Sequence, residues 1–217
     1  MTQGRFYFIS DEFYTKHDCD NMLMKNKEGM HDRPCFYAFP DKENVGISWC
    51  IPISSKVKKY DEIVQHKLDK QINKGIRNPV CNTIRFGEVL GQKKAFLIQN
   101  MFPITQEYIT SIYIDKNTKN PVTLKPSTEK DISTNAKHIL KLVFRGYKNL
   151  VFADVLKIRA NLISELVLLK MENKAIQFPT KPVSSTNIKS PSPTSFSQPE
   201  KKLGIFEDLE RIRQEQE

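Results

Sequence analysis

The sequence is short of what metal, disulfide and membrane chemistry require. Its four cysteines, Cys19, Cys35, Cys50 and Cys81, make no CxxC pair, and its four histidines are scattered. No Cys/His set or carboxylate cluster has the spacing of a catalytic ion, so neither metal nor cofactor is expected. No stretch approaches the roughly 18 apolar residues of a membrane span. With no signal segment ahead of them, the thiols are expected to be reduced, in a soluble cytoplasmic protein that has no membrane partner. Cys35 and Cys50 fall in apolar runs and read as small buried hydrophobes.

Acidic charge is also scarce. The 217 residues carry 34 Lys and Arg against 25 Asp and Glu, a net charge of +9, and residues 1–169 alone hold 26 against 18. The excess therefore belongs to the part expected to fold, and it points to an anionic partner such as nucleic acid. Residues 54–94 are the richest segment, with ten cations against four acids.

What the chain does have is a pair of β-favouring runs, Cys35 to Phe39 and Val45 to Ile53, joined by the polar segment Pro40 to Asn44. This predicts an antiparallel hairpin. Arg33-Pro34 opens its first strand, and Pro52-Ile53-Ser54-Ser55-Lys56 closes its second. The start of one strand lies beside the end of the other, so Arg33, Ser54, Ser55 and Lys56 should meet at one rim. A guanidinium, two hydroxyls and an ammonium suit a phosphodiester.

Around the hairpin, Arg5 to Ser10 reads as a strand, Asp11 to Tyr14 as the start of a helical turn, and residues 15–32 as a loop bearing His17 and His31. A helix is predicted from Val57 to Lys74, with Lys67, Lys70 and Lys74 on its solvated face. A second strand pair follows, Thr83 to Phe86 and Ala95 to Phe102, with a break at Gly87-Glu88, a turn at Gly91-Gln92 and Pro103 closing the last strand. Helices are predicted over Ser127 to Phe144 and Ala153 to about Glu172. The class is α+β. From Phe178 to Glu200 a Pro, Ser and Thr composition reads as a disordered linker, and Leu203, Phe206, Leu209 and Ile212 mark a short amphipathic helix. The expected domains are 1–177, a linker over 178–202 and a terminal helix over 203–217.

Arg33-Pro34, the turn and Pro52-Ile53-Ser54-Ser55 resemble paired elements of the MazF/Kid-like ribonuclease toxins. FYFIS near the start, PISSKVKK and the later KKAFLIQNMFPI run further resemble, in order and spacing, the ToxN/AbiQ/CptN group of type III toxin–antitoxin endoribonucleases, over roughly residues 5–165. The resemblance implies a small, partly open, SH3-like antiparallel barrel with packed helices. It also implies a metal-independent, sequence-specific endoribonuclease that leaves 2′,3′-cyclic phosphates. Such enzymes are inhibited by a repeated pseudoknot RNA that they process themselves, in a closed protein–RNA assembly.

The resemblance makes Arg33, Ser54, Ser55 and Lys56 the catalytic candidates. His31, Lys58, Lys59, Arg85, Lys93 and Lys94 are the RNA-binding candidates. The ToxN branch has a lysine directly after the proline of the first strand, where this chain has Cys35, so Arg33 is expected to replace it. The other reading is a non-catalytic binder of single-stranded nucleic acid on the same kind of barrel.

Overall fold

A computed structural model describes residues 1–18, 20–28 and 31–177. The expected linker and terminal helix, and Cys19, lie outside these residues. The described elements in chain order are β1 (Phe6–Ile9), α1 (Asp11–His17), β2 (Lys27–Glu28), β3 (His31–Asp32), β4 (Cys35–Pro40), β5 (Ser48–Ser54) and α2 (Val57–Ile72). They continue with β6 (Arg85–Val89), β7 (Gln92–Phe96), β8 (Phe102–Ile104), β9 (Ile109–Ile112), α3 (Pro126–Phe144) and α4 (Val155–Gln177). The class is α+β, as expected. Among the described residues, no helix is long and apolar enough to cross a membrane.

The hairpin is the centre of the fold. β4 and β5 pair antiparallel with Cys35 opposite Pro52 and a bulge between Tyr37 and Phe39, and every residue of β5 is buried. A strand covered on both faces reads as a continuous apolar run rather than an alternation, which is what SWCIPIS is. The sheet runs β6-β7-β5-β4-β1-β9, with β8 sharing the outer edge of β5 with β7. It curls strongly: Phe96 on β7 packs its ring 6.2 Å from Phe6 on β1 and 5.7 Å from Phe36 on β4, which lies between them. Yet among the described residues no ladder joins the edge strands β6 and β9, so the sheet is open. The antiparallel sheet with packed helices is as expected, with four α-helices among the described residues, whereas the expected partly open barrel is not confirmed, because no ladder closes the sheet.

Pro52 explains how the outer edge is split. Its carbonyl accepts from the Leu97 backbone N–H at 3.1 Å, but it has no N–H to return the bond. At that point the opposing chain leaves the ladder as a 3-10 turn, Ile98–Asn100, and rejoins β5 as β8.

Three local expectations are corrected. Pro103 does not close a strand but sits inside β8 opposite Trp49. Gly87-Glu88 does not break β6. Gly87 lies in the ladder opposite Lys94 because a Cβ there would come within 2.7 Å of Thr128 and 3.0 Å of Phe96, and the turn falls at Leu90-Gly91, both with positive φ. Lys67 is not on a solvated face: half-buried, it donates from Nζ to Thr83 Oγ1 at 2.8 Å and Gln99 Oε1 at 2.7 Å, and burial lowers its pKa.

The hairpin turn is locked by Asp41. It accepts from Trp49 Nε1 at 3.0 Å and bidentately from Arg159 of α4 at 2.8 and 2.9 Å, tying β4, β5 and α4 together. Burial pushes the Asp41 carboxyl up, but hydrogen bonds from Arg159, Trp49, and the backbone N–H groups of Asn44 and Glu43 outweigh that and hold it well below the usual range. A carboxyl depressed in the folded state stabilises the fold above its unfolded pKa of about 4, and that contribution is lost as pH falls further. We therefore expect Asp41→Asn to lower stability at pH 7 and to flatten the decline below pH 4. Urea unfolding midpoints across pH 2–7 check both, and parallel curves for the two proteins would refute the assignment.

Candidate active site

The register of the hairpin builds the rim. Since Cys35 faces Pro52, Pro34 faces Ile53, and Pro34 has no N–H to offer across the ladder. The Arg33 side chain supplies the donor instead: Nη1 reaches the Ile53 carbonyl at 2.7 Å while Nε donates to the Lys25 carbonyl at 3.1 Å. Arg33 is only 5% exposed. Its backbone N–H also donates to the Asn26 carbonyl, so the segment leading into the hairpin is pinned at two levels.

Beyond Ile53 the chain turns into α2. Ser54 is buried, and its Oγ accepts from the Lys56 backbone N–H at 3.2 Å, which fixes the turn. Ser55 is exposed on the outer side of that turn. Lys94, from β7, donates to Ser55 Oγ at 2.8 Å and to Gln92 Oε1 at 3.0 Å.

A cleft of about 510 Å³ opens here, lined by His31, Asp32, Arg33, Pro34, Ile53, Ser55, Lys56, Val89, Leu90, Gln92, Lys94 and Tyr113. It lies where the two edges of the open sheet approach, between the β6–β7 turn and the end of β9. Five of the sequence-predicted residues meet in it: His31, Arg33, Ser55, Lys56 and Lys94. Ser54 stands behind the wall rather than in it. Cys35, next to this rim, has its thiol pushed up to about 12 by burial, an effect that the nearby Arg33 partly opposes.

The other RNA-binding candidates lie elsewhere. Lys58 and Lys59 are exposed on the first turn of α2, with Lys59 Nζ 5.9 Å from the Tyr60 ring centroid. Arg85 is held bidentately by Asp131 of α3, both hydrogen bonds at 2.8 Å. Lys93 pairs with Asp61 at 3.3 Å and covers the Phe86 ring at 4.5 Å. These two cations face acids, whereas α2 has no acid in its first turn. Lys56, Lys58 and Lys59 thus stand at the positive end of a helix dipole, each at a cost of about 0.3–1 kcal/mol, and a bound anion would offset it.

Sequence reading misses Asp32, Gln92 and Tyr113. Tyr113 reaches the cleft only because β9 pairs with β1, its ring packing 6.4 Å from Phe6 and 5.4 Å from Phe8. Nothing local in the sequence signals that pairing.

The curled sheet and its helices have counterparts among solved structures. AbiQ, a lactococcal anti-phage endoribonuclease belonging to the type III toxin–antitoxin system, matches over 79% of this chain and 99% of its own, with a TM-score of 0.53 and 14% identity. A structure from a bacterial antiviral system regulated by a processed non-coding RNA matches over 74% and 95%, with a TM-score of 0.47 and 14% identity. One from a bacterial type III system, whose toxin is selectively inhibited by a non-coding RNA pseudoknot, matches over 84% and 85%, with a TM-score of 0.35 and 17% identity. No protein-family model and no curated protein matches. The likeness to AbiQ establishes a shared fold.

The two carbonyl partners of Arg33 make a claim on stability. Arg33→Met leaves the Ile53 and Lys25 carbonyls without charged donors and should cost about 2–4 kcal/mol. Arg33→Lys, with a single ammonium in place of a fork, should recover only part. Urea denaturation measures both. An unchanged midpoint for Arg33→Met would remove Arg33 from the framework of the hairpin.

Proposed function

We propose that this protein, with the fold of AbiQ, is a metal-independent, sequence-specific endoribonuclease toxin of a type III toxin–antitoxin system acting on cellular RNA in the cytoplasm. The observation that carries the reading is the cleft at the hairpin rim, where Ser55, Lys56, Lys94 and His31 converge over a buried Arg33.

RNA can be cleaved by its own 2′-hydroxyl. The 2′-oxygen bonds to phosphorus as the bond from phosphorus to the 5′-oxygen breaks, one proton leaves the 2′-hydroxyl, and another reaches the departing 5′-oxygen. Between these events negative charge builds on the non-bridging oxygens, and fixed donors that meet it there lower the barrier. Lys94 and Lys56 supply those donors, with the Ser55 hydroxyl placed by its 2.8 Å hydrogen bond from Lys94. His31, which also lines the cleft, takes or gives a proton. Arg33 and Ser54 are positioning residues: one fixes the Ile53 end of β5, the other the turn that carries Ser55 and Lys56.

The partner follows from the same surface. Lys58 and Lys59 lie outside the cleft but follow Lys56 directly in the first turn of α2, and a phosphate backbone that runs on from the cleft is the ligand that they fit. A type III system like the one AbiQ belongs to supplies the natural candidate, a repeated pseudoknot RNA antitoxin held with the toxin in a closed assembly.

Three measurements test this. Ser55→Ala should slow cleavage of total RNA at least about tenfold, equivalent to about 1.4 kcal/mol of transition-state stabilisation, with the fold intact by circular dichroism. Cleavage should persist in EDTA and yield 2′,3′-cyclic phosphate ends. If EDTA abolishes it and Mg²⁺ restores it, the mechanism is wrong, and a mobility shift without any cleavage would instead favour the non-catalytic binder. Charge reversal of Lys58 and Lys59 to Glu should weaken RNA binding and reduce its salt dependence, whereas an unaltered salt slope would place the RNA surface elsewhere.

A further inference from the structure

A second, larger cleft opens at the opposite end of the hairpin, between its turn and α3, with a volume of about 790 Å³. β4 separates it from the first cleft by six residues, or about 20 Å of strand. Its floor is aromatic, with Phe39 and Trp49 stacked at 6.5 Å and both buried. At the mouth Phe144 is 47% exposed, and Arg159 braces its ring at 5.3 Å.

The wall formed by α3 is cationic. Lys137 and Lys141 of α3 and Arg145, the residue that caps its C-terminus, recur every four residues, so they line one side of the helix at a spacing of about 6 Å. All three are exposed. Like charges at this spacing repel, the last two also meet the negative end of the α3 dipole, and no acid interrupts the row. The acids of the cleft, Asp41 and Glu43, are already engaged by Arg159 at 2.7–2.9 Å. A row of cations beside an exposed aromatic ring matches the way single-stranded nucleic acid is held, with phosphates along the charges and a base on the ring.

We propose that the cleft between the hairpin turn and α3 is a second RNA site. A single-stranded segment lays its phosphates along Lys137, Lys141 and Arg145 and stacks a base on Phe144. The inference rests on the proposed function only in taking RNA as the ligand. One RNA of sufficient length would then engage both ends of the hairpin, which raises affinity without adding anything to the cleavage site.

The test uses the full chain and a fluorescent 2′-O-methyl RNA 20-mer, which has no free 2′-hydroxyl and cannot be cleaved by the proposed route. Binding is followed by anisotropy from 50 to 300 mM salt. The triple variant K137Q/K141Q/R145Q should bind at least about tenfold more weakly at 0.1 M salt. Its log–log salt slope should be shallower by about 2, near 0.7 for each single-strand phosphate no longer neutralised, and its melting temperature should be close to the wild type's. Phe144→Leu should bind about fivefold more weakly or worse, with the slope unchanged, because stacking carries no counterions. A triple variant with wild-type affinity and slope would overturn the site. Wild-type affinity for Phe144→Leu would overturn the stacking. Failure of the wild-type protein to cleave ordinary RNA would instead count against the nuclease reading, leaving this measurement to stand or fall alone.

Discussion

The structure depends on how β5 copes with hydrogen bonds that two prolines cannot make. Pro52, within the strand, leaves its outer edge one donor short, and the opposing chain answers by breaking into β7 and β8 around a 3-10 turn. Pro34, opposite Ile53, leaves the inner edge one donor short, and Arg33 answers with its side chain. A buried carbonyl without a donor costs about 1–3 kcal/mol, so neither repair is optional. Both fall at the same end of β5, where the ladder hands over to Ser54, Ser55 and α2. The candidate site forms where regular pairing stops, which is where side chains from four segments can approach one point.

Electrostatics then separates the cations that can meet a ligand from those that hold the protein together. Arg85 and Arg159 are committed to carboxylates in bidentate geometry, and Lys67 is sunk against Thr83 and Gln99. Exposed ion pairs such as Lys93–Asp61 contribute at most about 1 kcal/mol, but they still lower the charge offered to an anion. Lys56, Lys58, Lys59 and the row on α3 lie beside few acids, and the first group crowds the positive end of α2. At the start of α2 that crowding costs stability, which a bound anion would offset, whereas Lys141 and Arg145 lie at the negative end of the α3 dipole, which favours them.

The hairpin is legible in the sequence because both faces of β4 and β5 are buried, which makes them continuous apolar runs, and because strand direction alone brings their ends together. Helices α2 and α3 are legible from their periodicity, and α4 from its density of apolar residues alone, several of which, Leu168 among them, are exposed. What cannot be read is what depends on register. Gly87-Glu88 looks like a break because glycine in a strand usually is one, and only the proximity of Thr128 and Phe96 explains why a glycine stands there. Arg85 and Lys94 are equivalent as sequence, two cations in a basic segment. β6 turns one towards Asp131, and β7 brings the other to Ser55. Closure of the barrel is likewise beyond reach, since it depends on whether β6 meets β9, and their separation in sequence carries no such information.

The burial of Arg33 constrains the chemistry that this rim can perform. A guanidinium that is 5% exposed and bound to two main-chain carbonyls is fixed in direction, so it cannot swing out to follow a phosphate as charge develops. Cys35, beside the same rim, is no substitute, because burial keeps its thiol protonated. In the proposed reaction, direct contact with a scissile phosphate would therefore fall to the ammonium groups that line the cleft from outside the first strand, Lys56 from the turn and Lys94 from β7. A lysine on a flexible stem can adjust to a phosphate that changes shape during reaction, whereas its charge does little to orient one. Orientation is left to Ser55, the side-chain hydroxyl in the cleft that Lys94 touches directly. In this arrangement Arg33 supplies the rigidity and the lysines the charge, so the guanidinium expected at the phosphate serves instead to hold the rim that presents Ser55 and Lys56.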